Sequence, residues 1–272
     1  MNSSPKRSWA RVPGSLFAEQ SGDRSNNSQV LLHGFTQTSR SWNRYIDFID
    51  PQQSIIRVDA PGHGGSSTVA VDLTTTAQMV VGQCGFGDYI GYSMGARLAL
   101  HIALLQPENV RRLILVSGSP GLQTGDERQA RSQSDELLAQ EIAEVGVERF
   151  VEKWLSNPLF SGLTSTQEEI QDRLRNSAEG LASSLRLSGT GNQESLWDQL
   201  QDLTMPVLVI VGEKDQKFLQ IGHEMKSRIG TNAELVVIEN AGHSVHLEQP
   251  EHCQSVIASF LGRPAERYKQ NH

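Results

Sequence analysis

The chain contains short apolar runs rich in β-branched residues, each ending in residues typical of turns. Runs that are apolar on both faces are typical of strands buried in a parallel sheet. Four are strong and two weaker, and they are Val30–Gly34, Ile55–Asp59, Arg112–Ser117 and Val207–Gly212, then Asp88–Ser93 and Glu234–Glu239. Helical patterns lie between or after them, at Met94–Leu105, Leu219–Ile229 and Pro250–Leu261. This alternation predicts an α/β fold with a mostly parallel sheet flanked by helices.

The alternation stops between residues 122 and 200, where polar and charged helical stretches contain no convincing strand. We therefore expect a helical cap insertion at 122–200, between a first core part at 29–121 and a second at 201–265. Residues 1–28 form a poorly specified lead-in, with a short strand expected around Ser15–Ala18, and residues 266–272 form a C-terminal tail.

Composition narrows the class of protein. The 272 residues carry a net charge of −7, so there is no basic surplus for nucleic acid or anionic lipid. No apolar run approaches the length of a membrane span, and the first residues lack a signal core. The two cysteines, Cys84 and Cys253, suit a reducing compartment and argue against a structural zinc site. We expect a cytoplasmic monomer or small homo-oligomer without metal or cofactor.

The segment Gly91-Tyr92-Ser93-Met94-Gly95 matches G-x-S-x-G at a predicted strand-to-helix junction. A serine on so sharp a turn leaves little space beside it, so glycines flank it and its hydroxyl projects above the sheet. A glycine-rich turn with a surface serine would give the same pattern. The strand–helix context favours a nucleophile or base at Ser93.

A serine hydroxyl is weak unless a histidine accepts its proton and a carboxylate orients that histidine. Asp215 and His243 each follow a predicted strand, which gives the chain order Ser, Asp, His. Of eight histidines, His243 alone has the position expected of the base. Glu213 and Asp59 compete with Asp215 for the role of the acid.

Two backbone amides are candidates for an oxyanion hole. The Met94 amide lies at a helix N-terminus, where unpaired N–H groups favour negative charge. Phe35 follows the first strong strand in Leu32-His33-Gly34-Phe35, which would place its amide opposite Met94. These are backbone roles and imply nothing about the two side chains.

With these motifs, residues 29–262 resemble the α/β-hydrolase superfamily and, within it, the 2-succinyl-6-hydroxy-2,4-cyclohexadiene-1-carboxylate synthase family of menaquinone and phylloquinone biosynthesis. Segments that carry the closer resemblance are LHGF (32–35), PGHGGS (61–66), GYSMGAR (91–97), SPGL (119–122) with Arg128 and Arg131, Trp154 with PLF (158–160), LRN (174–176), GEKDQKF (212–218) and AGHSVHLEQP (241–250). Ala96 departs from the family, where a second glycine is common.

The resemblance implies a carbon–oxygen lyase that removes a ring proton and expels pyruvate from an enolpyruvyl ether, with the triad serine as base. It also implies substrate-binding roles for Tyr92, Arg97, Arg131, Trp154 and Arg175. Such a substrate is a small polycarboxylate, and arginine binds carboxylates through a planar fork. Arg128 and Lys217 remain candidates for additional anion contacts.

Two other functions use the same residues. A serine hydrolase of a small ester or C–C bond would need the triad but not the arginines. A non-catalytic ligand receptor on this fold would bind tightly without turnover. We therefore expect the arginines to distinguish the lyase from the hydrolase, and turnover to distinguish it from the receptor.

Overall fold

The computed structural model describes residues 7–25 and 27–263, so the predicted tail at 266–272 lies outside the described residues. Its sheet has eight strands in the order β1-β2-β4-β3-β5-β6-β7-β8. The strands are β1 (Ala10–Arg11), β2 (Ala18–Ser21), β3 (Gln29–Leu32), β4 (Ile55–Val58), β5 (Gly87–Tyr92), β6 (Val110–Val116), β7 (Val207–Gly212) and β8 (Ala233–Ile238). From β4 across to β8 all neighbours are parallel, whereas β1 and β2 add an antiparallel edge.

The helices are α1 (Asn43–Ile46), α2 (Leu73–Cys84), α3 (Met94–Leu105), α4 (Gly125–Leu155), α5 (Gln167–Arg173), α6 (Ala178–Ser188), α7 (Gln216–Ile229), α8 (Val245–Glu248) and α9 (Pro250–Leu261). Within α4, Gly146 has non-helical backbone angles with φ of 78°, which breaks that helix. Short 3₁₀ turns include Ser39–Trp42, Pro158–Phe160 and Trp197–Asp202.

Each face of the sheet is covered by helices because successive side chains of a strand point to opposite faces. Val207 and Val209 pack into one core with α2, α3 and α7, while Leu208 and Ile210 pack into a second core with α1 and α9. Both faces are therefore buried, which is why these strands read as continuous apolar runs. The predicted α/β class with a mostly parallel sheet is confirmed.

No strand lies between β6 and β7, where α4, α5 and α6 follow one another. α4 and α6 share a small apolar core that includes Ile142, Phe150 and Leu181, and Phe35 packs against its edge. The helices thus stand over the loops that follow the parallel strands. No described helix is long and apolar enough to cross a membrane.

The lead-in differs in detail from the expectation. Its strand begins at Ala18 rather than covering Ser15–Ala18, and it pairs antiparallel with β4.

α7 starts at Gln216, three residues before the predicted helix, because the Asp215 side chain caps it by accepting the Phe218 amide at 3.3 Å.

Candidate active site

Ser93 occupies the sharp turn between β5 and α3, with φ of 51° and ψ of −106°. The flanking glycines leave room for this turn. A Cβ on Gly91 would lie 2.2 Å from the Gly95 carbonyl oxygen, and one on Gly95 would lie 2.1 Å from the Leu32 carbonyl oxygen. Both contacts are closer than atoms can approach, so the G-x-S-x-G pattern is a steric requirement of this turn.

His243 links Ser93 to Asp215. Its Nδ1 lies 2.6 Å from Asp215 Oδ2, and its Nε2 lies 3.1 Å from Ser93 Oγ. A carboxylate can only accept, so Nδ1 carries the hydrogen and Nε2 is free to accept the serine proton. His243 and Asp215 are both buried. The three side chains can therefore pass a proton from the serine to the imidazole.

The competing acids have other partners. Glu213 accepts the Asn240 amide at 3.0 Å, and Asp59 accepts the Ser39 and Gly65 amides at 2.7 and 2.8 Å. Neither contacts His243. The structure brings Asp215, rather than these two, to the histidine.

Ser93 and His243 open into a cavity of about 400 Å³, which we call the Ser93 cavity. It is bounded by the first turn of α3, the loop after β3 and the helices α4 to α6. The sequence-predicted residues on its wall are Phe35, Tyr92, Met94, Arg97, Arg131 and Trp154. The amide of Met94 starts α3, where its dipole favours negative charge.

The aromatic residues shape this wall. Tyr92 is buried, its hydroxyl lies 2.9 Å from Ser244 Oγ, and burial raises its pKa above the usual value. The Phe35 ring packs edge-on against Trp154 at 5.3 Å between centroids. Trp154 Nε1 is buried and has no hydrogen-bond partner among the described residues. These rings form an apolar part of the wall, while polar and charged side chains line the rest.

Arg97 lies deep in the Ser93 cavity and is 7% exposed. Its guanidinium donates to Gln193 Oε1 and to the Ser188 carbonyl, each at 2.9 Å. Both partners are neutral, and burial lowers the pKa of Arg97 to about 10. Arg131 is more exposed and donates through Nε to Asp135 at 2.7 Å.

Arg175, which the LRN segment indicates as a substrate-binding residue, does not line this cavity. α5 ends at Arg173, and Arg175 folds back on Asp172 with 3.3 Å between Nη1 and Oδ1. It lines a separate cavity of about 800 Å³, which we call the adjoining cavity. Arg128 also lies off the Ser93 cavity, next to Glu194, whereas Lys217 is on its wall.

Arg173, the last residue of α5, lines the Ser93 cavity instead. It lines both cavities, is 4% exposed, and donates from Nη1 to Thr36 Oγ1 at 2.5 Å. Burial lowers its pKa. Sequence reasoning missed it. Arg173 lies three residues after the apolar Ile170, so both are on one face of α5, and this spacing was the available signal that the Arg173 side chain faces inward.

Neither Arg97 nor Arg173 forms an ion pair with any residue in the described part of the chain. Glu169 and Asp172, whose charges act on Arg173, pair with Arg44 and Arg175, and Asp135, whose charge acts on Arg97, pairs with Arg131. A buried charge without a counter-charge is costly unless a ligand supplies one. The Ser93 cavity is thus suited to a ligand with negative charges.

Comparison with known proteins agrees with this geometry. Residues 29–252 match the Alpha/beta hydrolase family. A Bacillus subtilis protein provisionally named 2-succinyl-6-hydroxy-2,4-cyclohexadiene-1-carboxylate synthase is 37% identical, over 88% of this chain and 92% of its own. The synthase of that name from Klebsiella pneumoniae strain ATCC 700721 is 32% identical, over 85% and 92%.

Among solved structures, MenH from S. aureus superposes with a TM-score of 0.83 at 30% identity, covering 90% of this chain and 97% of its own. These relatives match along nearly their whole length. The chain therefore belongs to the alpha/beta hydrolase family and, within it, to the 2-succinyl-6-hydroxy-2,4-cyclohexadiene-1-carboxylate synthases.

Proposed function

We propose that this enzyme is a carbon–oxygen lyase that uses Ser93, His243 and Asp215 to eliminate pyruvate. Its substrate is 2-succinyl-5-enolpyruvyl-6-hydroxy-3-cyclohexene-1-carboxylate, and its product is 2-succinyl-6-hydroxy-2,4-cyclohexadiene-1-carboxylate, the compound in its relatives' names. The observation that carries the proposal is the pair of buried guanidiniums, Arg97 and Arg173, which line the cavity that contains the triad and form no ion pair with any described residue.

The reaction begins with the ring proton next to the succinyl carbonyl. Ser93 Oγ removes this proton while its own passes to His243 Nε2, and Asp215 stabilises the imidazolium. The charge that develops on the carbonyl oxygen is stabilised by the amides of Phe35 and Met94. Every group needed for this step is on the chain itself, so the proposal includes no metal or organic cofactor.

Elimination then follows from the position of the ring double bond. The electron pair of the broken C–H bond forms a new ring double bond, the existing one shifts by one position, and the C–O bond to the enolpyruvyl group breaks. The leaving group departs as the enolate of pyruvate and takes up a proton. The atoms balance, since the substrate divides into a conjugated diene and pyruvate.

The arginines hold the carboxylates during this change. Arg97 and Arg173 provide buried charge, and Arg131 provides a more exposed one from α4. Trp154 and Tyr92 complete the wall against which the ring packs. In this proposal α4 to α6 act as a cap at residues 122–200. We further propose that the enzyme works in the cytoplasm as a monomer or small homo-oligomer.

The test is release of pyruvate from the enolpyruvyl substrate, followed by coupled reduction with lactate dehydrogenase and by the ultraviolet absorbance of the diene. Wild-type protein should produce both in equal amounts, and Ser93→Ala should lose at least about a thousandfold in kcat. Pyruvate release no faster than that of Ser93→Ala would refute the proposal. Rapid hydrolysis of a neutral aryl ester, unchanged in Arg97→Ala, would instead favour a hydrolase.

A further inference from the structure

Gln37 stands in the wall between the Ser93 cavity and the adjoining cavity. It is 2% exposed, lies in the loop after β3 and lines both cavities. Among the described residues, Arg173 is the other one that lines both cavities. The two residues therefore both belong to the wall that the cavities share.

The orientation of the Gln37 carboxamide follows from its neighbour. The Gly34 amide donates to Oε1 at 3.0 Å, so that end of the carboxamide must be the oxygen. Nε2 is then left as a donor, and it has no hydrogen-bond partner within the described residues. Nearly all buried polar groups have such a partner, so an isolated buried amide donor calls for an explanation.

The loop that carries Gln37 is held in a strained form. Thr36 precedes it with φ of 65°, a conformation that is costly for a β-branched residue. Two contacts hold this residue, because Arg173 Nη1 donates to its Oγ1 at 2.5 Å and Asn176 Nδ2 donates to its carbonyl at 2.7 Å. The end of α5 thus fixes Gln37 beside the Arg173 guanidinium.

We propose that Gln37 Nε2 donates a hydrogen bond to the same substrate carboxylate that Arg173 binds. A carboxylate has two oxygens, and a guanidinium together with an adjacent amide can serve both. Binding would give the isolated amide the acceptor that the protein does not provide. Gln37 is then a substrate-contacting residue, and this assignment rests on the proposed function.

Gln37→Glu separates this role from that of holding the loop. Glutamate keeps an acceptor for the Gly34 amide, but it replaces the donor with an anionic oxygen that repels the carboxylate. KM for the enolpyruvyl substrate should rise about tenfold or more, with kcat within about threefold, because the contact is made equally in ground and transition states. A wild-type KM in Gln37→Glu would overturn the proposal.

A double-mutant cycle tests whether Gln37 and Arg173 share one carboxylate. Gln37→Met should raise KM about tenfold on its own, but should add little in an Arg173→Met background. In an Arg131→Met background the same change should multiply KM by the full factor. Equal factors in the two backgrounds, or a loss confined to kcat, would contradict a shared carboxylate.

Thermal unfolding of each variant distinguishes a binding defect from a folding defect. If Gln37→Glu does not fold, the KM of Gln37→Met tests the same contact. Failure of the proposed function would appear differently. The wild-type protein itself would then release no pyruvate, whereas failure of the Gln37 assignment leaves wild-type activity intact.

Discussion

The two cavities on either side of Arg173 are both lined by several arginines, but the cavities differ in which of these arginines form ion pairs. In the adjoining cavity, Arg44 pairs with Glu169 and Arg57 with Glu19, each at 2.7 Å, and Arg40 is exposed to solvent. In the Ser93 cavity, Arg131 pairs with Asp135, but Arg97 and Arg173 are buried with neutral partners. Paired arginines link parts of the fold, whereas buried unpaired ones indicate a missing anion. The number of arginines alone does not distinguish the two cases.

The largest difference between the cavities should be chemical, because only the Ser93 cavity contains the proton relay. His243→Ala should lower kcat about a thousandfold and leave KM for the enolpyruvyl substrate nearly unchanged, since the imidazole takes part in proton transfer rather than in holding carboxylates. Single-turnover and steady-state assays of pyruvate release would measure both constants. A rise in KM with normal kcat would place His243 among the binding groups instead.

The charge of Arg97 should impose a pH limit on binding. Its pKa of about 10 lies below the usual arginine value, so it is charged at neutral pH and loses its proton as the pH rises past 10. KM should therefore rise above pH 10, by up to about tenfold per unit. Arg97→Met should lack this rise while having a higher KM at pH 8. An identical upturn in that variant would assign the titration to another group.

The smallest expected effect is on stability, and its sign differs between the cavities. Because burial lowers the pKa of Arg173, its charged form opposes folding at neutral pH, so Arg173→Met should raise the free energy of unfolding even though it removes the hydrogen bond to Thr36. Arg44→Met leaves Glu169 without its ion-pair partner and should lower the free energy of unfolding by about 1 kcal/mol. Urea denaturation at pH 7.5 would measure both. The opposite order would contradict the distinction between paired and unpaired arginines.

Much of the fold follows from the sequence because its core strands are buried on both faces and so appear as continuous apolar runs. The edge is different. β2 carries Glu19 and Gln20 and is only partly buried, so no apolar pattern marks it, and its limits depend on pairing with β4. The start of α7 depends on a side-chain cap by Asp215, which a search for apolar periodicity does not detect.

In the active site, too, some positions could be predicted from the sequence and others could not. The positions of Ser93 and His243 follow from steric and topological rules, and the structure brings both together with Asp215. Arg173 and Arg175 are only two residues apart, and the direction of each side chain depends on where α5 ends and on contacts with Thr36 and Asp172. Those partners lie on different elements, so a local motif could not distinguish the two arginines.

The most direct test of the central claim is kcat/KM for pyruvate release in three matched variants, Arg97→Met, Arg173→Met and Arg175→Met. If buried, unpaired guanidiniums hold the substrate, the first two should each lose about a hundredfold or more, and Arg175→Met should stay within about threefold of wild type. Losses of equal size in Arg173→Met and Arg175→Met, or a loss confined to Arg175→Met, would contradict the account.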